Sequence, residues 1–229
     1  MTENKWESFA KANPYWYLLA PFNGTIDEFW ETGIRQAKEI FFEVKDFLHN
    51  HNTVIEIGCG AGRCLIPMGS YFNECIGVDI SKKMLELLEK NAEKNGVRNG
   101  VKCFLPTAPW YEHKADFIFS VKTLPCIEDF DVIEDYICKI HESLYDDGLV
   151  YLQFDTRPKT LMYLVKNNLP DFALPKYWQR GIRRIRRDRA LINQLFEKYG
   201  FSTIKEENKN TWKHIFLLTK KPIKQAAII

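Results

Sequence analysis

The run Val54-Ile55-Glu56-Ile57-Gly58-Cys59-Gly60-Ala61-Gly62, followed by Ile76-Gly77-Val78-Asp79, combines alternate glycines with acids at spacings that suit a nucleoside. An apolar run enters a glycine turn, and glycine permits both a tight backbone path and close approach to a ligand. Asp79 stands 17 positions after Gly62 (79 − 62). A carboxylate about 20 residues beyond such a turn grips the two ribose hydroxyls. The dinucleotide fingerprint G-x-G-x-x-G is not met, because its last slot is Arg63 counted from Gly58 and Leu65 counted from Gly60. What stands is Glu-x-Gly-x-Gly-x-Gly, with Glu56 two residues before the first glycine.

Such residues converge only if strands and helices alternate in an open parallel sheet. The pattern predicts strands over 54–57, 76–79, 101–105, 116–121 and 149–154. Helices are expected over 82–95, 131–145 and 188–199. Ser81 is a good N-cap for the first, whose Met84, Leu87 and Leu88 recur at helical spacing before Gly96 ends it. The second closes in the turn Asp146-Asp147-Gly148 and the third at Gly200. Strand 202–206, a turn at Asn208-Lys209-Asn210 and a return over 212–219 then predict an antiparallel hairpin.

Composition narrows the function. At 229 residues, one domain or a domain with a lid is expected. A net charge of +2 argues against nucleic acid as partner and against a membrane field. The N-terminus lacks a signal-peptide core and no apolar run is long enough to span a bilayer, so a cytoplasmic protein is expected. The six cysteines form no C-x-x-C pair and read as buried reduced thiols, with no metal site expected.

The acid, the alternate glycines and the spaced Gly77-Val78-Asp79 resemble motif I of the class I S-adenosylmethionine (SAM) methyltransferases. The resemblance covers roughly residues 51 to 221. It implies an α/β, doubly wound, mostly parallel seven-stranded sheet with a C-terminal antiparallel hairpin strand, and SAM as cofactor. By the same resemblance Glu56, Gly58, Cys59, Gly60 and Gly62 face the methionine moiety. Asp79 takes the ribose and Ile80 packs on the adenine. Thr107 and Ala108 stand where many members carry an acid for the adenine amino group, and Val121 lies on the strand that leads to the sulfonium. Segment 120–124 matches no Asn/Asp-Pro-Pro-Tyr sequence, which weighs against amino methylation of bases or glutamine.

Two segments stand apart from the common pattern, one ahead of the SAM-binding core expected over residues 51–229 and one inserted within it. Residues 1–50 carry Trp6, Phe9, Tyr15, Trp16, Tyr17, Phe22, Phe29 and Trp30 and a helix over 27–48, which suggests an N-terminal helical lid. Its Asn13-Pro14-Tyr15-Trp16 and Glu28-to-Gly33 patterns are similar to the lid of some small-molecule methyltransferases. Residues 157–187 occupy the place of a substrate-recognition insertion.

Methyl transfer is an in-line displacement, so alignment and exclusion of water are the main tasks, and a base helps a hydroxyl acceptor. Asp155 is the first candidate base, His214 the second and Tyr15 or Tyr17 the third, each with a purely structural role as the alternative. Arginines 183, 184, 186, 187 and 189 repel one another unless solvated or paired with anions, and guanidinium forks suit phosphate or carboxylate. Arg184 and Arg187, with Arg157, Tyr17 and Trp212, are therefore the candidate acceptor contacts. The expected activity is methyl transfer to oxygen or nitrogen of a small, anionic, phosphorylated or carboxylated metabolite. A methyltransferase of RNA or protein that docks through the arginines, or a SAM-binding protein without catalysis, are the alternatives.

Overall fold

A computed structural model describes residues 5–19, 24–97, 100–174, 183–208 and 212–220, with the backbone alone for Trp16, Tyr17, Leu19 and Asp171. Helices α1 (Lys5–Ala12) and α2 (Pro14–Leu19) precede the long α3 (Ile26–Val44). Thr25 starts α3 with a capping box, exchanging side-chain and backbone bonds with Glu28. Next come β1 (Thr53–Ile57), α4 (Leu65–Met68), β2 (Glu74–Val78), α5 (Lys82–Lys94), β3 (Val101–Phe104) and β4 (Ala115–Ser120). The chain continues through α6 (Phe130–Ser143), β5 (Leu144–Phe154), α7 (Leu161–Asn168), α8 (Arg189–Lys198), β6 (Phe201–Asn208) and β7 (His214–Lys220).

The seven strands form one sheet in the order β3-β2-β1-β4-β5-β7-β6. The first five are parallel, and β7 runs antiparallel between β5 and β6. This is the doubly wound seven-stranded sheet that the sequence leads one to expect. Every residue of β1 and β4 is buried, as in central parallel strands covered on both faces. Successive side chains alternate between faces. Ile55, Ile57 and Ile118 pack with Ile133, Ile137 and Ile140 of α6 and Leu195 and Phe196 of α8. Val54, Phe117 and Phe119 pack with Ala37 and Ile40 of α3, Leu65 of α4 and Leu88 of α5.

Three boundaries differ from expectation. The helix expected over 27–48 ends at Val44, and the one over 131–145 ends at Ser143. The expected turn at Asp146-Asp147-Gly148 is instead absorbed into β5. Register there jumps from Ala115↔Leu144 to Phe117↔Leu149, so the exposed residues 145–147 bulge out of a continuous strand. The hairpin turn residues Lys209 and Asn210 lie outside the described residues.

Helix α3 sits close against the glycine turn because Gly33 has no side chain. A Cβ there would lie 2.0 Å from the Arg63 carbonyl oxygen. Gly33→Ala must push helix and turn apart, and we expect it to destabilise the fold by about 1–3 kcal/mol in denaturant titrations.

Candidate functional site

The strand order reverses between β1 and β4, and there the carboxyl ends of the strands leave a crevice. The turn after β1 forms its floor. Gly58 and Cys59 donate to the Val78 carbonyl at 2.7 and 3.2 Å, which folds the turn over the end of β2. Gly58 has φ +76°, and a Cβ on it would lie 2.0 Å from Thr123 Oγ1, so only glycine fits between β1 and the β4 loop. Gly60 and Gly62 complete the turn, both also with positive φ.

Asp79 is organised by backbone. Its Oδ2 accepts the Gly60 N–H at 2.8 Å and its Oδ1 accepts the Ser81 N–H at 2.9 Å. Each oxygen keeps acceptor capacity for a ligand hydroxyl. Burial pushes the carboxyl above its usual range, opposed by the Ser81 and Gly60 N–H groups. Glu7 of α1 spans the same corner, accepting from Ser81 Oγ at 2.6 Å and Lys83 N–H at 3.2 Å. Glu56 is 3% exposed, and its Oε2 has no hydrogen-bond partner among the described residues. Burial raises its pKa well above the ordinary carboxylate value, with Arg63 as the opposing charge. Arg63, itself 6% exposed, donates to Thr32 Oγ1 and Gln36 Oε1 of α3.

These groups open into one cavity of about 1110 Å³. Glu56, Gly58, Cys59, Asp79, Ile80 and Val121 line it from the sheet side, and Trp6 and Leu18 line it from α1 and α2. Lys122, Arg157, Arg184 and Trp212 also line it, with Met162 and Tyr163 of α7. Arg184 lies over the Trp212 ring at 4.0 Å from its centroid, within cation–π range. The lining is of mixed charge: Glu56, Asp79, Glu128 and Asp129 supply acids, and Lys5, Arg63, Lys122, Arg157 and Arg184 supply cations. Gly60, Gly62, Thr107 and Ala108 do not line it; Ala108 folds back to donate to the Leu105 carbonyl at 2.9 Å.

Residues 54–148 match the family described as "Methyltransferase domain". That stretch holds the glycine turn, Asp79 and Lys122. "Ubiquinone biosynthesis O-methyltransferase" of Pelagibacter ubique is 28% identical over 163 residues, covering 68% of this chain and 65% of that protein. "Uncharacterized methyltransferase YcgJ" of Bacillus subtilis is 44% identical over 46 residues, covering 20% and 18%. The chain spans less than two thirds of the length of these curated relatives. The crystal structure of magnesium protoporphyrin IX methyltransferase (ChlM) from Synechocystis PCC 6803 with bound SAH superposes with a TM-score of 0.66. It is 16% identical and covers 94% of this chain and 98% of that one, a likeness of fold.

The other residues singled out in the sequence take different places. Asp155 is 1% exposed, and its oxygens accept from Arg157 Nε at 2.9 Å and Nη2 at 2.6 Å. The pair turns Asp155 away from the cavity and leaves Arg157 at its wall. His214 is fully buried, with Nδ1 2.5 Å from Thr156 Oγ1 and Nε2 2.6 Å from Glu206 Oε1. Burial lowers its pKa, against the pull of Glu206. Tyr15 sits edge-on to Phe29, with ring centroids 5.0 Å apart. None of the three lines the cavity. Arg187, 7% exposed, points under it and donates to the carbonyls of Leu124, Ile127 and Glu128. The Tyr17 side chain lies outside the described residues. Among the described residues no cluster of His, Cys, Asp or Glu suits a metal, and no helix is long and apolar enough to cross a membrane.

Arg63, Lys122, Trp6 and Leu18 line the cavity and were not singled out as contacts from the sequence. For Arg63 a signal existed, since it directly follows Gly62. Lys122 carried one in being the residue at which β4 leaves the sheet.

Glu56 gives a test of function against stability. An acid with a raised folded pKa destabilises the fold as pH climbs from its unfolded value toward the folded one, because the native state must hold the proton or bury the charge. Glu56→Gln removes that cost. We expect the ligand-free variant to melt higher than the parent at neutral pH, yet to bind S-adenosylhomocysteine more weakly, in paired thermal and calorimetric measurements.

Proposed function

We propose that this chain transfers the methyl group of SAM to an oxygen or nitrogen of a small anionic metabolite in the cytoplasm. The observation that carries the reading is one cavity lined both by Glu56 and Asp79 and by Lys122, Arg157 and Arg184. The two acids fit the cofactor. The orphan Glu56 Oε2 supplies an acceptor for an ammonium, and Arg63 close by supplies a charge for a carboxylate. Asp79 offers a pre-organised pair of oxygens to vicinal hydroxyls, and the half-exposed Ile80 offers an apolar platform to a base.

Bound there, SAM supplies an already activated methyl carbon. The protein's share is to align an acceptor nucleophile with it and exclude water. Trp6 and Leu18 from the N-terminal helices narrow the opening, as a lid over residues 1–50 would. The three cations favour carboxylated or phosphorylated acceptors through charge-assisted bonds. Incubation with methyl-labelled SAM and matched panels of anionic and neutral hydroxy or amino compounds tests this. Label entering the anionic compounds supports the reading. Transfer confined to the neutral ones, or to RNA or protein, would sink it.

A further inference from the structure

Lys122 stands where β4 opens into the crevice, and among the described residues it is the non-glycine residue with a left-handed backbone (φ 65°). That conformation costs an L-residue roughly 1–2 kcal/mol, so its surroundings must hold it. Gln153 of β5, 1% exposed, accepts the Lys122 N–H at 3.2 Å and donates to the Trp212 carbonyl at 3.4 Å. One buried amide therefore fixes both Lys122 and the ring on which Arg184 lies. All three side chains line the cavity. The charges facing the Lys122 ammonium come from three elements. Arg63 belongs to the glycine turn, Arg184 precedes α8 and Lys213 precedes β7; the Cys64 thiol is the remaining titratable neighbour. No hydrogen bond joins the Lys122 ammonium to a described carboxylate. Burial first, and these cations next, bring it down to about 7.

We infer that Lys122 and Arg184 form an oxyanion site in the cavity, and that this site takes up a proton from solvent as it fills. The inference rests on reading these cations as the acceptor contacts, and it names the acceptor chemistry as a carboxylate or phosphoryl oxygen. An anion between the two side chains replaces repulsion with attraction. The neutral Lys122 amine then gains one proton and becomes an ammonium, with no other bond made or broken. Arg184 contributes a planar fork and Lys122 a point charge. The sign follows: filling raises the lysine's pKa, so anion affinity is complete below about 7 and falls above it, by about tenfold per pH unit at most, until the filled-site value is passed.

Reductive methylation of the full chain with isotope-labelled formaldehyde gives each lysine a nuclear magnetic resonance signal that reports its titration. Lys122→Met identifies the signal. Lys122→Gly, which suits the left-handed backbone, serves if the methionine variant fails to fold. We expect a midpoint near 7 that moves upward when sulfate or acetate is added at tens of millimolar. In Arg184→Ala the anions should leave it in place. A larger response to sulfate marks a phosphoryl site, and a larger response to acetate a carboxylate site. A midpoint in the ordinary lysine range, or no movement with either anion, overturns the inference. The readout needs no cofactor, so failure to bind S-adenosylhomocysteine would count against the proposed function alone.

Discussion

Asp79→Ala is expected to weaken S-adenosylhomocysteine binding by about 100-fold or more, since two charge-assisted hydrogen bonds are lost at roughly 1.5–3 kcal/mol each. The carboxylate has two tasks. It shapes the turn by accepting Gly60 and Ser81 N–H groups, and it presents its remaining lone pairs to the cavity. Burial already works against its charge in the ligand-free protein. The alanine variant therefore recovers part of what the lost backbone bonds cost, and stability should fall far less than affinity. Calorimetric titration beside a denaturant curve separates the two. The pH dependence has a matching sign. Ribose hydroxyls donate to the ionised carboxylate, so affinity should rise with pH through an aspartate value lying above the ordinary range. Comparable losses of affinity and stability would mean that Asp79 is only a structural clamp.

Gly58→Ala should be among the most destabilising single substitutions in the chain. At φ +76° an alanine pays for the left-handed backbone, roughly 1–2 kcal/mol. Its Cβ also meets three atoms of Thr123, at 2.0, 2.3 and 2.6 Å, an overpacking of about 1–3 kcal/mol. Together these are a large share of the roughly 5–15 kcal/mol by which a domain is stable. The melting temperature should drop by about 10 °C. Thr123→Gly in the same chain removes the steric partner and should restore that part of the loss, leaving the backbone part. If the double variant were no more stable than the alanine variant, the Thr123 contact would not be the cause.

The fold was legible because its signals are local. The apolar runs of β1 and β4, the Ser81 cap and the glycine turns report on their own neighbourhoods, and the sheet follows from their alternation. The bulge at 145–147 was not legible, since Asp146-Asp147-Gly148 reads as a turn and only pairing with β4 draws it into β5. That Glu56, Gly58 and Asp79 would line one cavity was likewise readable, because they stand at the ends of consecutive strands with fixed spacing. The places of the candidate acceptor contacts were not. Asp155 looks exposed at a strand end until Arg157 folds back on it, and Arg184 and Arg187 are indistinguishable until the chain turns one onto Trp212 and the other under Leu124. Lys122 gains its character first from burial and then from Arg63, Lys213 and Arg184, of which the last two lie more than 60 residues away in sequence (213 − 122 and 184 − 122).

Calorimetric titration of the full chain with S-adenosylhomocysteine, beside NAD as control, asks whether the cavity binds SAM. One-to-one binding of the homocysteine ligand is expected, and none of NAD. A ligand at 100 times its dissociation constant should also add about 2.7 kcal/mol of stability. Binding of NAD, or of neither ligand at millimolar concentration, would contradict SAM as the cofactor.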